Sequence, residues 1–433
     1  MKKLLFKIIL FFPIITTTYS FGKYHNNEVL RSASTDTIVK HLPSLVPPLA
    51  DSIFKSALLK NSHGDYNGAI SEYTKAITVY PNYIEAYVNR AFLKDSLKDY
   101  ASAITDYNHV LALNSKKFEI YTNRGNSKKN LQDYTGAMAD YTTALEINPQ
   151  YLQAYLNRGA LKDDLKDYTG AIADYDKAIA INPKVSLIYN DRGNTREHMQ
   201  DYFGAISDYD LAITLNPQFA EAYYGKGVAD EDLKDYYGAI ADYTKAITIN
   251  PVYSNAYVNR AYVKDIIHDD NGAIADCTKA IDLDPQSGQS YYNRANAKFD
   301  LNDQNGALAD YNKTIQLMPE NAHAYYNRGL IKAYSNDTNG AIEDWNRAIN
   351  LYPDFFEAYQ NRGIAKFTLQ DYKGAIADYS QTIKLNPKDE KSYFNRGNAK
   401  YMEGEKAGAC EDWSTAGELG NKDALINLKT FCK

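Results

Sequence analysis

The chain has 433 residues, a net charge of −6 and 39 tyrosines. Its length alone would suggest two or three globular domains. Its mildly acidic charge, with no basic stripe along the sequence, argues against nucleic acid as the main ligand.

The first residues, 1–22, have the pattern of a secretory signal peptide. MKK supplies a positive end, an apolar core follows, and TTTYSFG supplies small residues for cleavage. A membrane anchor is the alternative, but Lys7 and Pro13 interrupt the core, which is shorter than the roughly 20 apolar residues of a span. We therefore expect export to the periplasm or the cell exterior, with no membrane span in the mature chain. Residues 23–49 are polar and then proline-rich, which is typical of an exposed linker.

A repeating unit fills the rest of the chain, and residues 167–183 (DYTGAIADYDKAIAINP) illustrate it. Ala171, Ile172 and Tyr175 begin an apolar stripe that continues with helical spacing, and Pro183 ends the helix. Proline recurs every 34 residues, with Ser115 and Asn421 in the same slot of two copies. Such a period predicts stacked helical hairpins.

Small residues and tyrosines occur at fixed places in each unit. If the proline slot is position 32, eleven repeats of 34 residues span 50–423, and repeat 1 begins at residue 50. Position 20 is always Ala and position 8 is always Gly or Ala, so the two helices can approach closely. Tyrosines at positions 4 and 24 then fill the layers between hairpins. Residues 424–433 form a short amphipathic segment that we interpret as a cap over the last hairpin.

This pattern of period, small residues, aromatics and proline resembles the tetratricopeptide repeat. The resemblance implies an all-α, right-handed superhelical solenoid of antiparallel helix pairs, in which the first helices line a concave groove that binds peptides or proteins. Position 7 departs from the family because it is Arg in nine copies and Lys in one. The family's basic clamp for acidic C-termini is not supported, since position 5 never holds Lys or Arg and position 6 is never Arg.

Acidic residues match these arginines in number. Position 23 is Asp or Glu in every repeat, so each arginine can meet the acid of its own hairpin or that of a neighbour. We expect structural ion pairs rather than an anion-binding ladder, and the pairs taken as representative are Arg158 with Asp174, Arg192 with Asp208, Arg328 with Asp344, and Arg362 with Asp378.

A candidate binding face runs along the first helices. Positions 2, 5, 9 and 12 share one helix face; in repeats 2–7 this face is rich in acids, whereas in repeats 8–11 it becomes apolar and aromatic. Asn at position 6 flanks it and could hold the backbone of an extended peptide or, equally, bridge neighbouring helices. The candidate peptide-binding residues are Tyr292, Asn293, Phe299, Tyr326, Asn327, Leu330, Asn361, Ile364, Phe367, Phe394, Asn395 and Tyr401.

The sequence shows no catalytic constellation and implies no cofactor. Its seven histidines are scattered and form neither an HExxH motif nor a Cys/His cluster. The run DDNG at 269–272 has some features of a calcium loop but lies in a tight interhelical turn, so we interpret it as a solvated turn.

Three cysteines remain. Cys277 takes a position-24 core slot and is expected to be a buried free thiol. Cys410 lies early in the second helix of repeat 11 and Cys432 lies at the end of the cap. Because those helices should pack antiparallel, and export favours oxidation, we predict a Cys410–Cys432 disulfide; two separate thiols are the alternative.

The sequence therefore predicts an exported, non-enzymatic scaffold that binds a protein or extended peptide. Two other classes stay open: a structural or assembly component of the cell envelope without a peptide groove, and a glycan-binding protein that uses the same aromatic track.

Overall fold

The computed structural model describes residues 46–432. The signal peptide predicted at 1–22 and most of the linker predicted at 23–49 lie outside them. The described residues form helices and no strand, and they divide into two compact units, the first ending at Gln218 and the second beginning at Phe219. In neither unit do the described helices include one long and apolar enough to cross a membrane.

The first unit contains ten described helices in five pairs. They are α1 (Pro48–Ser62), α2 (Tyr66–Val79), α3 (Ile84–Ser96), α4 (Tyr100–Leu113), α5 (Phe118–Asn130), α6 (Tyr134–Ile147), α7 (Leu152–Asp164), α8 (Tyr168–Ile181), α9 (Ser186–His198) and α10 (Tyr202–Leu215).

The second unit contains thirteen described helices, six pairs and a final single helix. They are α11 (Ala220–Asp232), α12 (Tyr236–Ile249), α13 (Ser254–Ile266), α14 (Asp270–Leu283), α15 (Gly288–Asp300), α16 (Gln304–Leu317), α17 (Ala322–Tyr334), α18 (Thr338–Leu351), α19 (Phe356–Thr368), α20 (Tyr372–Leu385), α21 (Glu390–Glu403), α22 (Lys406–Glu418) and α23 (Lys422–Phe431). Within each unit, the helices of a pair pack together and consecutive pairs stack. The prediction of an all-α solenoid of helix pairs is confirmed.

Each hairpin turn is built by two successive residues. The first has a positive φ, as at Lys166 with φ 64°, and ends the first helix in the left-handed conformation. In repeats 1–10 the second is an aspartate that caps the second helix; Asp167 accepts a hydrogen bond from the Gly170 backbone N–H at 3.0 Å. In repeat 11 this residue is Glu405, whose side chain makes no cap. The turn between repeats uses Asn182, whose side chain accepts from the Lys184 N–H before the chain starts the next first helix.

Close helix packing explains the small residues. Ala205 is fully buried under the Tyr209 ring layer. A Cβ atom placed on Gly193 of the facing helix would lie 2.8 Å from the Tyr209 ring, so a side chain at this position would force the ring to shift. The buried tyrosines fill the layers between hairpins, as the periodicity predicts.

The arginines at position 7 form an ion-pair ladder with the acids at position 23. In repeat 4, Arg158 binds both oxygens of Asp174 at 2.7 and 2.9 Å, and Lys162 binds the same carboxylate at 2.8 Å. Arg158 also reaches Thr142 of the preceding repeat at 3.1 Å. Each such arginine therefore pairs within its own hairpin and also ties that hairpin to the previous one. The other representative pairs have the same geometry: Arg192 with Asp208, Arg328 with Asp344, and Arg362 with Asp378.

The end of the chain corrects one assignment. Asn421, placed in the proline slot by the periodicity, instead caps α23 by accepting from the Ala424 N–H at 2.9 Å. The helix begins at Lys422, because the turn after α22 is shorter and passes through Gly420 with φ 105°. Asn427 of α23 donates to Asn398 at 3.1 Å, as Asn327 donates to Asn296 at 3.2 Å between full repeats. The cap thus occupies the place of a twelfth first helix.

Candidate functional site

The candidate binding face of the second unit is only partly accessible. Ile364 and Tyr401 are its most exposed predicted members, with 38% and 36% of their surface accessible. The remaining members are partly buried, apart from one asparagine; they are Tyr292, Phe299, Tyr326, Asn327, Leu330, Asn361, Phe367, Phe394 and Asn395.

The asparagines at position 6 do not form a row that faces solvent. Asn293 is only 4% exposed, and its side-chain oxygen accepts a hydrogen bond from Gln289, so it presents little surface to a ligand. Asn327 donates to Asn296 of the preceding first helix, and Asn361 donates to the Tyr326 hydroxyl at 3.0 Å. These contacts support the alternative interpretation, in which the amides bridge neighbouring helices.

The upstream aromatics pack largely against their own repeats. The Tyr326 ring lies 4.7 Å from that of Phe355, and Leu330 joins the same cluster. The Tyr292 ring is 6.1 Å from the buried Tyr311 ring, and burial raises the pKa of Tyr292. Because these side chains pack against their own repeats, they expose little apolar surface to a ligand.

The downstream end of the face is different because it contains a pocket of about 230 Å³, which we call the end pocket. Tyr401 stacks in a tilted geometry on Phe431 at 4.9 Å and on Trp413 at 5.6 Å. The lining consists of aromatic rings, one methionine and two amides, and none of these residues is ionisable near neutral pH: Phe367, Asn398, Tyr401, Met402, Trp413, Asn427 and Phe431.

Two sets of contacts hold the end pocket in place. The Asn398 side-chain oxygen accepts from the Trp413 indole N–H at 3.0 Å and from Asn427 at 3.1 Å, which ties three helices together. A disulfide joins Cys410 to Cys432, with the Cα atoms 5.8 Å apart, and so fixes α23 against α22. Cys277 is a free, buried cysteine, and burial raises the pKa of its thiol to about 12.

Sequence reasoning identified two lining residues of the end pocket, Phe367 and Tyr401, and missed five. Trp413 occupies a core position in its repeat, and Met402 lies just beyond the assigned face. Asn427 and Phe431 belong to the cap, which the sequence predicts only as a segment that covers the last hairpin and not as part of a binding pocket. The signal that could have found them is the Cys410–Cys432 pairing, because it places the cap beside α22. The missed residues are Asn398, Met402, Trp413, Asn427 and Phe431.

Two acids on the corresponding face of the first unit, Asp95 and Glu197, are engaged with the core. Asp95 accepts from the Tyr107 hydroxyl and from Ser127, both at 2.7 Å. Burial raises the pKa of Asp95 to about 6, although both hydrogen bonds lower it. Glu197 accepts from the Tyr209 hydroxyl at 3.0 Å. These acids therefore satisfy buried tyrosines rather than forming an open anionic surface.

Three carboxylates in the second unit lie close enough together to suggest a cation site. One oxygen each of Asp265, Asp270 and Asp300 falls within 4.8 Å of the others. Burial, followed by the charges of Asp300 and Asp270, raises the pKa of Asp265 to about 7. Protonation can therefore relieve the crowding of charge, and we assign no metal to the group. Asp269 caps α14, as expected for a residue of an interhelical turn.

Protein-family models match several parts of the chain. A model described as tetratricopeptide repeat matches residues 84–117, 118–151, 220–253 and 322–355, and a second with the same description matches 152–185. A third, described as TPR repeat, matches residues 295–333 and 365–404. Together these segments include more than half of the chain. No curated protein matches the chain as a relative.

Solved structures with related folds are distant. Yeast Tom70 is 16% identical, with 88% of this chain and 94% of that chain aligned at a TM-score of 0.39. A tetratricopeptide repeat protein from Parabacteroides merdae is 20% identical over 58% of this chain and 96% of its own, at a TM-score of 0.45. YrrB, described as a TPR protein with an unusual peptide-binding site, is 23% identical over 42% of this chain and 95% of its own, at a TM-score of 0.39.

Proposed function

Because the chain belongs to the tetratricopeptide repeat family, we propose that it is an exported, non-enzymatic scaffold that binds an extended segment of a partner protein at the end pocket. One observation carries this proposal: the end pocket brings together four aromatic rings and two amides where the candidate binding face adjoins the cap. Buried aromatic anchors contribute most of the energy at many protein interfaces.

The size and chemistry of the pocket favour one side chain over a complete small molecule. Its volume of about 230 Å³ is below the roughly 300–1,000 Å³ of typical small-molecule sites. No lining side chain is charged near neutral pH, so an uncharged apolar or aromatic residue of the partner fits best. Within the fold, Asn398 bonds through its side-chain oxygen and Asn427 through its side-chain nitrogen. The other amide atom of each residue can bind the flanking peptide backbone.

Export rests on different support. The pattern of residues 1–22 is that of a signal peptide, and the Cys410–Cys432 disulfide suits an oxidising compartment. Mass spectrometry of the N-terminal peptide, on protein recovered from its native envelope, tests export with signal cleavage. A peptide that still begins at Met1 would overturn this proposal.

Site-specific photo-cross-linking tests the binding site. A photoreactive phenylalanine analogue replaces Tyr401 in one variant and Tyr237 in a matched control; Tyr237 is also an aromatic residue of the second unit and is 76% exposed. After irradiation in the native envelope, we expect a discrete protein adduct from position 401 only. Peptide mapping should place the adduct on an apolar segment of the partner. Equal adducts at both positions, or none at 401, would overturn the proposed site.

A further inference from the structure

The ion-pair ladder changes its charge in repeat 6, residues 220–253. Nine other repeats carry Arg at position 7, Lys or Arg at position 11 and Asp at position 23, which gives two cations for one anion. Repeat 6 instead has Lys226, Asp230 and Asp242 at these positions. A cation of the ladder is replaced by an acid, so the same three positions hold two anions for one cation.

The substitution places a second carboxyl group inside the hairpin. Asp230 on α11 is only 7% exposed, and its Oδ2 lies against Gly238 at the start of α12. It occupies position 11, whose side chain contacts the position-23 aspartate in repeat 4 and its counterparts, so its carboxyl group faces that of Asp242. Lys226 lies 3.8 Å from Asp242. The position-11 cations of the nine other repeats lie 2.7–2.9 Å from their aspartates. Asp230 takes the place of these position-11 cations, so an acid faces Asp242 where the nine other repeats place a positive charge.

Two carboxyl groups that face each other inside a hairpin favour the state in which one of them carries a proton. Burial, followed by the hydrogen bond and charge of Asp242, raises the pKa of Asp230 to about 7; Asp235 acts in the same direction and Lys226 opposes it. The arginine of the next first helix, Arg260 on α13, binds Asp276 at 2.6 Å and Thr244 at 2.8 Å, so its charge is directed to those partners.

We propose that repeat 6 is a proton-dependent joint, in which Asp230 and Asp242 share a proton that clamps α11 to α12. When the proton leaves, two carboxylates face each other inside the hairpin and the pair of helices loosens. Because the folded pKa is above the unfolded value of about 3.9, the stabilisation is complete below pH 4 and is lost as the pH rises towards 7.

Native-state hydrogen exchange on the full chain tests the joint. With rates corrected for intrinsic exchange, the opening constant of α11 and α12 should rise about tenfold per pH unit between pH 5 and 6.5, because opening releases one proton. Amides of α19 and α20 in repeat 10, where Asp378 is paired with Arg362 and Lys366, serve as the internal control and should show no such slope.

Two variants make the test decisive. Asp230→Lys restores the charge pattern of the other repeats, and Asp230→Asn retains a donor towards Asp242 without a titrating proton. Both should flatten the pH dependence of α11 and α12; if the lysine variant does not fold, the asparagine variant decides alone. A flat profile in the unaltered protein, or a slope that persists in the variants, would overturn the proposal.

Discussion

Asp95 in the first unit and Tyr401 in the second both occupy position 12 of their repeats, on the first helix of the pair. Their side chains nevertheless have different roles. Asp95 turns to the core and accepts hydrogen bonds from Tyr107 and Ser127. Tyr401 stays at the surface and forms a wall of the end pocket. One repeat position can therefore either complete the core or present a binding surface.

A second position takes part in this difference, although repeat 5 uses both positions, since Tyr209 donates to Asn194 at position 9 and to Glu197 at position 12. Where position 9 is Asn, its side-chain oxygen accepts from the polar group of the core aromatic, as Asn296 does from Tyr311 and Asn398 from Trp413. Position 12 is then not required to satisfy that group, and in these two repeats it carries Phe299 and Tyr401. In repeat 2, position 9 is Phe92 and the acid at position 12 accepts from the tyrosine instead.

Both faces rest on the ion-pair ladder, so its loss should have the largest effect. Asp174→Ala removes an acid that is 3% exposed and strands Arg158 and Lys162. We expect the free energy of unfolding of the first unit to fall by about 3–5 kcal/mol, because two partly buried cations lose their shared partner. Denaturant titration measures this change.

Asp176→Ala is the matched control for the ladder. This acid also pairs with an arginine, Arg192, but its side chain is 54% exposed, so the loss should be about 0–1 kcal/mol. An equal effect of the two variants would show that the ladder is screened by solvent.

The disulfide should matter next, and only for the second face. Replacing Cys410 and Cys432 by serine should destabilise the docked cap by about 3 kcal/mol through the freed loop. The end pocket should open with it, since Asn427 and Phe431 leave their places. A red shift of Trp413 emission reports this opening, and reduction of the unaltered protein by a dithiol should reproduce it. Alkylation of Cys410 and Cys432 without reduction, followed by mass spectrometry, would refute the bridge if both residues were labelled.

The aromatics of the end pocket can be set against the acids of the first unit. Phe367→Ala with Tyr401→Ala should weaken binding of the captured partner by about 2 kcal/mol or more, since aromatic anchors dominate interface energies. Glu85→Lys with Glu119→Lys, at position 2 of repeats 2 and 3, should mainly alter association rates and salt dependence. Titration of both double variants compares them, and a larger loss from the charge reversals would move the binding site to the first unit.

The smallest effect concerns Asp95 itself. Burial raises the pKa of Asp95 to about 6, above its unfolded value, so its contribution to stability is complete below about pH 4 and falls as the pH rises through 6. Asp95→Asn should remove this part of the pH dependence, a change of about 1–2 kcal/mol between pH 4 and 7. Thermal scans at several pH values measure it, and an unchanged slope would contradict the assignment.

The sequence by itself determined the helix pairs and their stacking, because these depend on local periodicity. Gly193 and Tyr209 recur with the 34-residue period, and their contact needs only that two adjacent helices pack. The pairing of Arg158 with Asp174 inside one hairpin was one of two options open to the sequence; the orientation of the side chains decided between them.

Only the tertiary structure decided which part of the candidate binding face is accessible to a ligand. Asn293 and Asn327 occupy the same repeat position as other candidate residues, but hydrogen bonds to neighbouring side chains engage them, and sequence spacing does not reveal such partners. The end pocket depends on the packing of α23, whose Asn427 contacts Asn398 and whose Phe431 lines the pocket. Side chains that satisfy polar groups of the core are not available to bind a ligand. Contacts between helices that are distant along the chain decide which side chains these are.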